Sequence, residues 1–512
     1  MKKLVLLILL TIVSVSNYIL ADTIPDNSLI YGIWTEVNSP YIIMKNATVP
    51  QDSTLVIEAG VTVKLKSSIN GADFNLETLN VGFIKVYGRI IAEGTESDSI
   101  IFMPSDAGRW GSISFFDLSE EPNILKYCKV SYGHGLHSAP GGPSYSGIAF
   151  YGTNVIIEES TFENNPKGVT FSGATGSITN STLRFNSTGI GNFSGSSVTI
   201  SGNLICDNAE TGISCQGSSS LISNNIVEGQ LKGINCNETN DTISNNIIRN
   251  NLWGGIGLGS SNCVVDNNVI YGSNSGIRCK GQPSILNNTI VNNNYFGIYC
   301  DAGAKPIIVN SIIFGNSSLI RRGLNDSVVF ANSLLQVDSL AEGLINGGGN
   351  IYNQNPCFID EPNEDFSLCF GSPCIDQGSY FFVWGNDTVI NLLPDEYFGT
   401  APDMGAFESD YTTGLGSEIL VVKDRLLKQN YPNPFSQSTT IEVNLKYNNK
   451  SKLDIFNQSG ILIKSFKING IGKHSVWWDR TNYHGERVEQ GIYHFRLICE
   501  QGIFTRSMII IN

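Results

Sequence analysis

The chain has 512 residues, more than one compact core usually serves, and combines 53 glycines with 41% hydrophobic and only 15% charged residues. That balance argues against a disordered chain and against a helical bundle. The formal net charge of −14 makes it a poor partner for nucleic acid or other polyanions.

Lys2 and Lys3, an apolar run from Leu4 to Val13 and then small or polar residues have the layout of a secretory signal peptide. Cleavage is expected after Ala21, with a second small-x-small site at Ser14 and Ser16. No cysteine follows the run, so no lipid anchor is indicated. No other segment has the 18 or so apolar residues of a membrane-spanning helix, so an exported, soluble chain is expected.

From about residue 147 to 320 the sequence repeats every 22 residues or so. The asparagine of S-N-N-I recurs at Asn180, Asn224, Asn245, Asn267, Asn287 and Asn310, with Gly202 in the one missing slot. Two residues before it runs an unbroken column, Ile178, Ile200, Ile222, Ile243, Val265, Ile285 and Ile308. Three residues after it runs another, Leu183, Ile205, Val227, Ile248, Ile270, Ile290 and Ile313. A glycine followed by Ile or Val returns from Gly147 to Gly297. Each repeat therefore holds at least two short strands with a turn between them.

A strand rises about 3.3 Å per residue, so three short strands and three turns close one circuit, and the next circuit stacks about 4.8 Å above it. This predicts an all-β parallel β-helix in which Ile and Val fill a continuous core and inward or corner asparagines pass hydrogen bonds between coils. A leucine-rich repeat has an overlapping period but needs several leucines and often a helical segment. The columns here are Ile and Val, and no repeat contains a helix-forming run.

The repeats resemble right-handed β-helix proteins of the pectate-lyase-like family, in its secreted bacterial branch. Pro40 to Pro50, Thr54 to Val63, Val86 to Thr95 and Trp110 to Phe115 look like the family's opening coils (about 34–146). Ser372 to Gly378 and Asp403 to Glu408 look like its closing segment (about 321–408).

Four of the eleven cysteines fall in the repeat as G-I-x-C, namely Cys215, Cys236, Cys279 and Cys300. Sharing the inward parity of the preceding Ile, they are expected to stack as buried thiols acting as small hydrophobes. Cys357, Cys369 and Cys374 are the better disulfide candidates, and Cys499 stands alone.

Residues 409–417 read as a linker, and 418–512 as a small antiparallel sandwich of Ig-like type. The phrases Gln429 to Ile441, Leu453 to Gly460, Trp477 to Gly485 and Gly491 to Leu497 closely resemble the type A C-terminal sorting domain of the type IX secretion system. That resemblance implies export through the periplasm to the outside or outer surface of a Gram-negative cell, with the secretion machinery as partner of 418–512. This module carries a net charge of +5 and residues 22–417 a net −21, which fits two parts with separate tasks.

Enzymes of the resembled family bind extended polysaccharide on an outward strand face, using paired Asp in hydrolases and a Lys or Arg base, often beside Ca²⁺, in lyases. The outward slots here hold Ser214, Asn235, Gly257, Arg278 and Tyr299, followed by Gln216, Asn237, Gly259, Lys280 and Asp301. Arg278, Lys280 and Asp301 are the catalytic candidates, weighed against an ordinary Lys280–Asp301 ion pair worth under about 1 kcal/mol. Trp253, Tyr295, Phe296, Tyr299 and Asn235 are the candidate sugar contacts. Gly133 to Gly135 and Arg278 to Lys280 look like fragments of a polygalacturonase motif set, but the Asp-bearing motifs that should precede them are missing. His134 and His137 lack a third ligand, so no metal site is assigned there. Asp360, Glu361, Glu364 and Asp365 are an oxygen set for Ca²⁺ or a solvated acidic turn. The preferred reading is an exported surface protein that binds glycan or another extracellular surface without catalysis. The alternatives are a polysaccharide lyase or glycosidase with an atypical site, and a structural spacer.

Overall fold

A computed structural model describes residues 22–69, 80–116, 121–135, 145–394, 396–409, 427–445, 451–458, 461–470, 472–499 and 502–511. The expected signal peptide, most of the linker and His137 lie outside the described residues.

The Ile and Val columns stack in register. Ile178, Ile200, Ile222, Ile243, Val265, Ile285 and Ile308 pair in sequence along one sheet. Leu183 through Ile313 do the same along a second. The strand after each Gly-Ile forms a third, so each coil of the regular repeats has three strands. The three parallel sheets hold 14, 15 and 13 strands. A β-branched side chain fits the pleated, inward-facing slot, and every member of both columns is buried. The glycine of Gly-Ile is required by close approach, since a Cβ at Gly233 would lie 2.4 Å from the carbonyl oxygen of Gly255 in the next coil.

The asparagines followed in the sequence are corner residues. Asn180, Asn224, Asn245, Asn267, Asn287 and Asn310 all have φ between 49° and 58°, a left-handed turn that Asn and Gly tolerate, and Gly202 has φ of 69°. The interior ladder lies one residue later. The backbone N–H groups of Asn203, Asn225, Asn246 and Asn268 each donate to the side-chain oxygen of the asparagine one coil on, at 2.9 to 3.0 Å. A second interior file, Asn165, Asn186 and Asn208, caps the next corner in the same way, at 2.9 and 3.0 Å. These amides satisfy backbone groups that the turns leave without a strand partner.

Cys215 pairs with Cys236, and Cys279 with Cys300, as inward neighbours; all four are free and buried, with the Cys279 and Cys300 sulfurs 3.7 Å apart. The disulfide joins Cys357 to Cys369, and Cys374 is a buried free thiol. Burial raises the Cys374 thiol to about 12.

The closing segment forms two antiparallel hairpins, Phe358–Asp360 with Asp365–Leu368 and Phe381–Trp384 with Asp387–Asn391. The acidic turn between the first pair is a fastening. The Glu364 carboxylate accepts from Arg249 Nη1 at 2.5 Å and from the Tyr271 hydroxyl at 2.8 Å, and Glu361 accepts from Asn292 Nδ2 at 2.8 Å. Asp360 and Asp365 are engaged within the turn by the Asn363 amide and the Ser367 N–H. The four carboxylates are thus held by separate partners.

The strand ladders of the C-terminal unit are antiparallel, with one isolated parallel bridge between Phe435 and Ile510. Thr439–Leu445 pairs with Gly472–Trp478, and a four-stranded sheet runs Leu462–Ile468, Ser451–Asn457, Gly491–Cys499, Gly502–Ile510. Its core contains Leu453, Ile455, Trp478, Phe495 and Leu497, all fully buried, so the alternating pattern of these strands is an inside–outside alternation.

Candidate functional site

Five successive rungs of the 13-stranded sheet carry the candidates: Lys232–Asn237, Gly254–Ser261, Ser275–Gly281, Phe296–Cys300 and Ser318–Arg321. Ile234, Ile256, Ile277, Ile298 and Ile320 point inward in register, so the next residue of each rung faces out. That outward file reads Asn235, Gly257, Arg278, Tyr299, Arg321.

The second rung has glycine at three outward slots, Gly254, Gly257 and Gly259. One rank of side chains is therefore missing between the row of Asn235 and the row of Arg278. The amides of the lower row lean into the gap: a Cβ at Gly257 would lie 2.9 Å from Asn235 Oδ1, and one at Gly259 2.5 Å from Asn237 Oδ1. The resulting groove has a volume of about 440 Å³ and a backbone floor.

Aromatic side chains wall it at the preceding corner. Trp253 and Tyr295 are each 57% exposed. Lys232 Nζ lies 5.7 Å from the Trp253 ring centre, and Phe296 packs edge-on against Tyr299 at 5.8 Å. Tyr299 sits between guanidinium groups of the two adjacent rungs, Arg278 and Arg321, each 4.8 Å from its ring centre.

Asp301 receives Arg278 at two points, Nε to Oδ2 at 2.9 Å and Nη2 to Oδ1 at 2.8 Å. This replaces the expected Lys280–Asp301 pair. A planar guanidinium fork matches a carboxylate in two bonds, whereas an ammonium offers a point charge. The carboxylate raises the pKa of Arg278 further above its ordinary value. Lys280 is exposed beside the groove and does not line it. The groove thus gathers Arg278, Asp301, Trp253, Tyr295, Phe296, Tyr299 and Asn235, and leaves Lys280 out. Asp301 is the one carboxylate among its described lining residues, so the paired carboxylates of glycoside hydrolysis are not assembled there.

A second hollow of about 580 Å³ lies on earlier rungs of the same sheet, lined in part by Tyr151, Lys167, Thr170, Phe193 and Glu238. Phe193 lies across Gly191, where a Cβ would meet its ring at 2.6 Å, and Lys167 Nζ sits 5.3 Å from that ring's centre. Burial lowers the Lys167 pKa from its ordinary value. Lys167 belongs to no motif of the sequence, although its slot is the one that Lys232 and Gly254 occupy in later coils.

His134 donates its backbone N–H to the Trp110 carbonyl at 2.8 Å and packs edge-on against Tyr145. It stands in the wall of the coil, and the polygalacturonase-like fragments Gly133 to Gly135 and Arg278 to Lys280 lie on widely separated rungs.

Residues 122–231 and 232–355 match the family model described as the right-handed β-helix region. Residues 429–512 match the secretion system C-terminal sorting domain. The body is thus a right-handed parallel β-helix. The tail is a sorting domain handled by the type IX secretion machinery, and the chain is a secreted or cell-surface protein. No curated protein matches it.

Solved structures with a similar course include a pectate lyase, 13% identical over 70% of this chain and 88% of the other, with a TM-score of 0.40. A periplasmic alginate epimerase is 14% identical over 61% and 78%, with a TM-score of 0.33. The A-module of a mannuronan C-5 epimerase from Azotobacter vinelandii is 12% identical over 59% and 89%, with a TM-score of 0.28.

Proposed function

We propose that the β-helix body is a glycan-binding surface protein whose site is the glycine-floored groove. The observation that carries this reading is the missing rank at Gly254, Gly257 and Gly259, flanked by exposed Trp253 and Tyr295. A bare backbone floor admits the flat face of a sugar ring. Exposed rings stack on C–H faces, and the Asn235 amide and Arg278 guanidinium supply donors for hydroxyl or carboxylate oxygens. Binding without bond cleavage is favoured because Arg278 and Asp301 occupy each other and no second carboxylate is among the described residues lining the groove. No cofactor is required. The N-terminal apolar run carries the chain into the periplasm, and the tail then delivers it outside.

A titration of soluble polysaccharides into the full chain, followed by tryptophan fluorescence, tests this reading. A saturable change that disappears in Trp253→Ala supports it. A panel without any binder, or binding indifferent to Trp253, removes it.

One observation favours a second reading, a polysaccharide lyase. Lys167 is a partly desolvated amine in an outward hollow with tyrosines at hand, and such an amine gives up its proton more readily than a solvated lysine. New unsaturated chain ends that vanish in Lys167→Ala would establish it.

A further inference from the structure

We propose that Cys215, Cys236 and Asp241 form a binding site for a thiophilic divalent cation of the Zn²⁺ class inside the β-helix. Their donor atoms, two sulfurs and a carboxylate oxygen, all lie within 4.8 Å of one another. All three side chains are fully buried. Cys215 and Cys236 are register neighbours on adjacent coils, and Asp241 turns inward at the corner after the Cys236 strand.

Two further observations point to a cation. The Asp241 carboxylate accepts from Ser218 Oγ at 3.1 Å to each oxygen and from the Ser220 N–H at 2.7 Å. Among the described residues no Lys, Arg or His pairs with it, although buried carboxylates are ordinarily matched by a cation or a metal. Asn192, fully buried one coil below, places Nδ2 3.7 Å from Cys215 Sγ and 3.0 Å from Ser220 Oγ, and its Oδ1 has no hydrogen-bond partner. Nitrogen and oxygen exchange places when the amide flips, which turns an acceptor toward the Cys215 sulfur. Cys263 occupies the slot of Asp241 one coil on, fully buried, with its sulfur 3.2 Å from Thr239 Oγ1.

Two thiols and a carboxylate suit a borderline-soft, tetrahedral cation; Ca²⁺ and Mg²⁺ need oxygen cages. On binding, two S–H bonds break, two metal–sulfur bonds form and two protons pass to solvent. The net charge of the site is unchanged, while the carboxylate gains a cation in direct contact. No electron is transferred. Cys279 and Cys300 form the internal control, because they stack in the same register without belonging to such a carboxylate cluster.

The full chain, produced in medium supplemented with Zn²⁺ or with Co²⁺ and freed of loose metal by gel filtration, tests the proposal through metal content and the thiolate-to-cobalt absorption band. The expected result is about one ion per chain, lowered at least about tenfold in Cys215→Ala and in Asp241→Asn and unchanged in Cys279→Ala. Wild-type protein without metal, loading indifferent to Cys215, or a Cys215–Cys236 disulfide found by mass spectrometry would overturn it. If a variant fails to fold, X-ray absorption of the Zn²⁺-loaded wild type decides: sulfur neighbours support the site, and a shell of nitrogen and oxygen alone refutes it.

Discussion

Arg278 and Asp301 clasp each other across adjacent coils by two parallel hydrogen bonds, 2.9 and 2.8 Å long, at the rim of the bare rung. Two of the three charged residues that line the groove are thereby committed to each other, Lys232 being the third. What the clasp leaves for a ligand is the outer edge of the guanidinium, on a side chain that is 58% exposed, beside the Lys232 ammonium.

An exposed pair of this kind contributes under about 1 kcal/mol to folding, because water screens it. Arg278→Ala is therefore expected to leave the urea midpoint nearly unchanged while weakening glycan binding about tenfold or more. A large loss of stability together with unchanged binding would assign the pair to the scaffold.

The interior asparagines should behave in the opposite way. Asn246 accepts the Asn225 N–H at 3.0 Å and donates to the Ile222 carbonyl at 2.9 Å, both in the buried corner. Asn246→Ala leaves those groups without partners, at a cost of about 1–3 kcal/mol each. Its neighbour Asn245 is a left-handed corner residue with φ of 56°, so Asn245→Gly should shift stability by only a few tenths of a kcal/mol. Equilibrium unfolding of the two variants in urea measures the contrast.

These adjacent asparagines also mark where the sequence stopped being legible. The period, the two Ile and Val columns and the outward file from Asn235 to Tyr299 follow from spacing alone, because a parallel β-helix superposes equal positions. Which asparagine of S-N-N-I points inward depends on the sign of one φ angle, which the spacing leaves open. The groove was hidden for a related reason. Gly257 and Gly259 were visible as slots, but a glycine carries no side chain to suggest a site, and only the stacked neighbours reveal the gap it leaves. The Arg278–Asp301 clasp crosses diagonally between rungs, so it departs from a rule based on directly facing residues.

Lys167 gives a pH signature. Burial holds its folded pKa below the ordinary 10.5, so between the two values the unfolded chain binds more protons than the folded one. Its contribution to stability is therefore present above 10.5 and lost as pH falls through the folded pKa. Lys167→Met is expected to be more stable than the parent near neutral pH, with the advantage shrinking as pH rises toward 10.5. Denaturation midpoints across that interval check the sign, and a constant difference contradicts the assignment.

Removal of residues 429–512, the matched sorting domain, should abolish delivery to the cell surface or medium and leave the body in the periplasm. Fractionation of a type IX-competent host, with an antibody against the β-helix, reads the outcome. Surface delivery of the truncated chain would contradict a sorting role for the tail.

The central claim is that the empty rank at Gly257 is the ligand's seat. Gly257→Leu fills it at small structural cost, because the nearest atom to a new Cβ is the tip of the Asn235 side chain at 2.9 Å and φ there is not left-handed. Calorimetric titration of the best-bound polysaccharide into parent and variant, with an assay for new reducing or unsaturated ends on the same samples, is the most direct measurement. The expected result is saturable binding by the parent without new ends, and at least about tenfold weaker binding by a variant that unfolds at the same urea concentration. Undiminished binding by Gly257→Leu, or depolymerisation by the parent, would contradict the account.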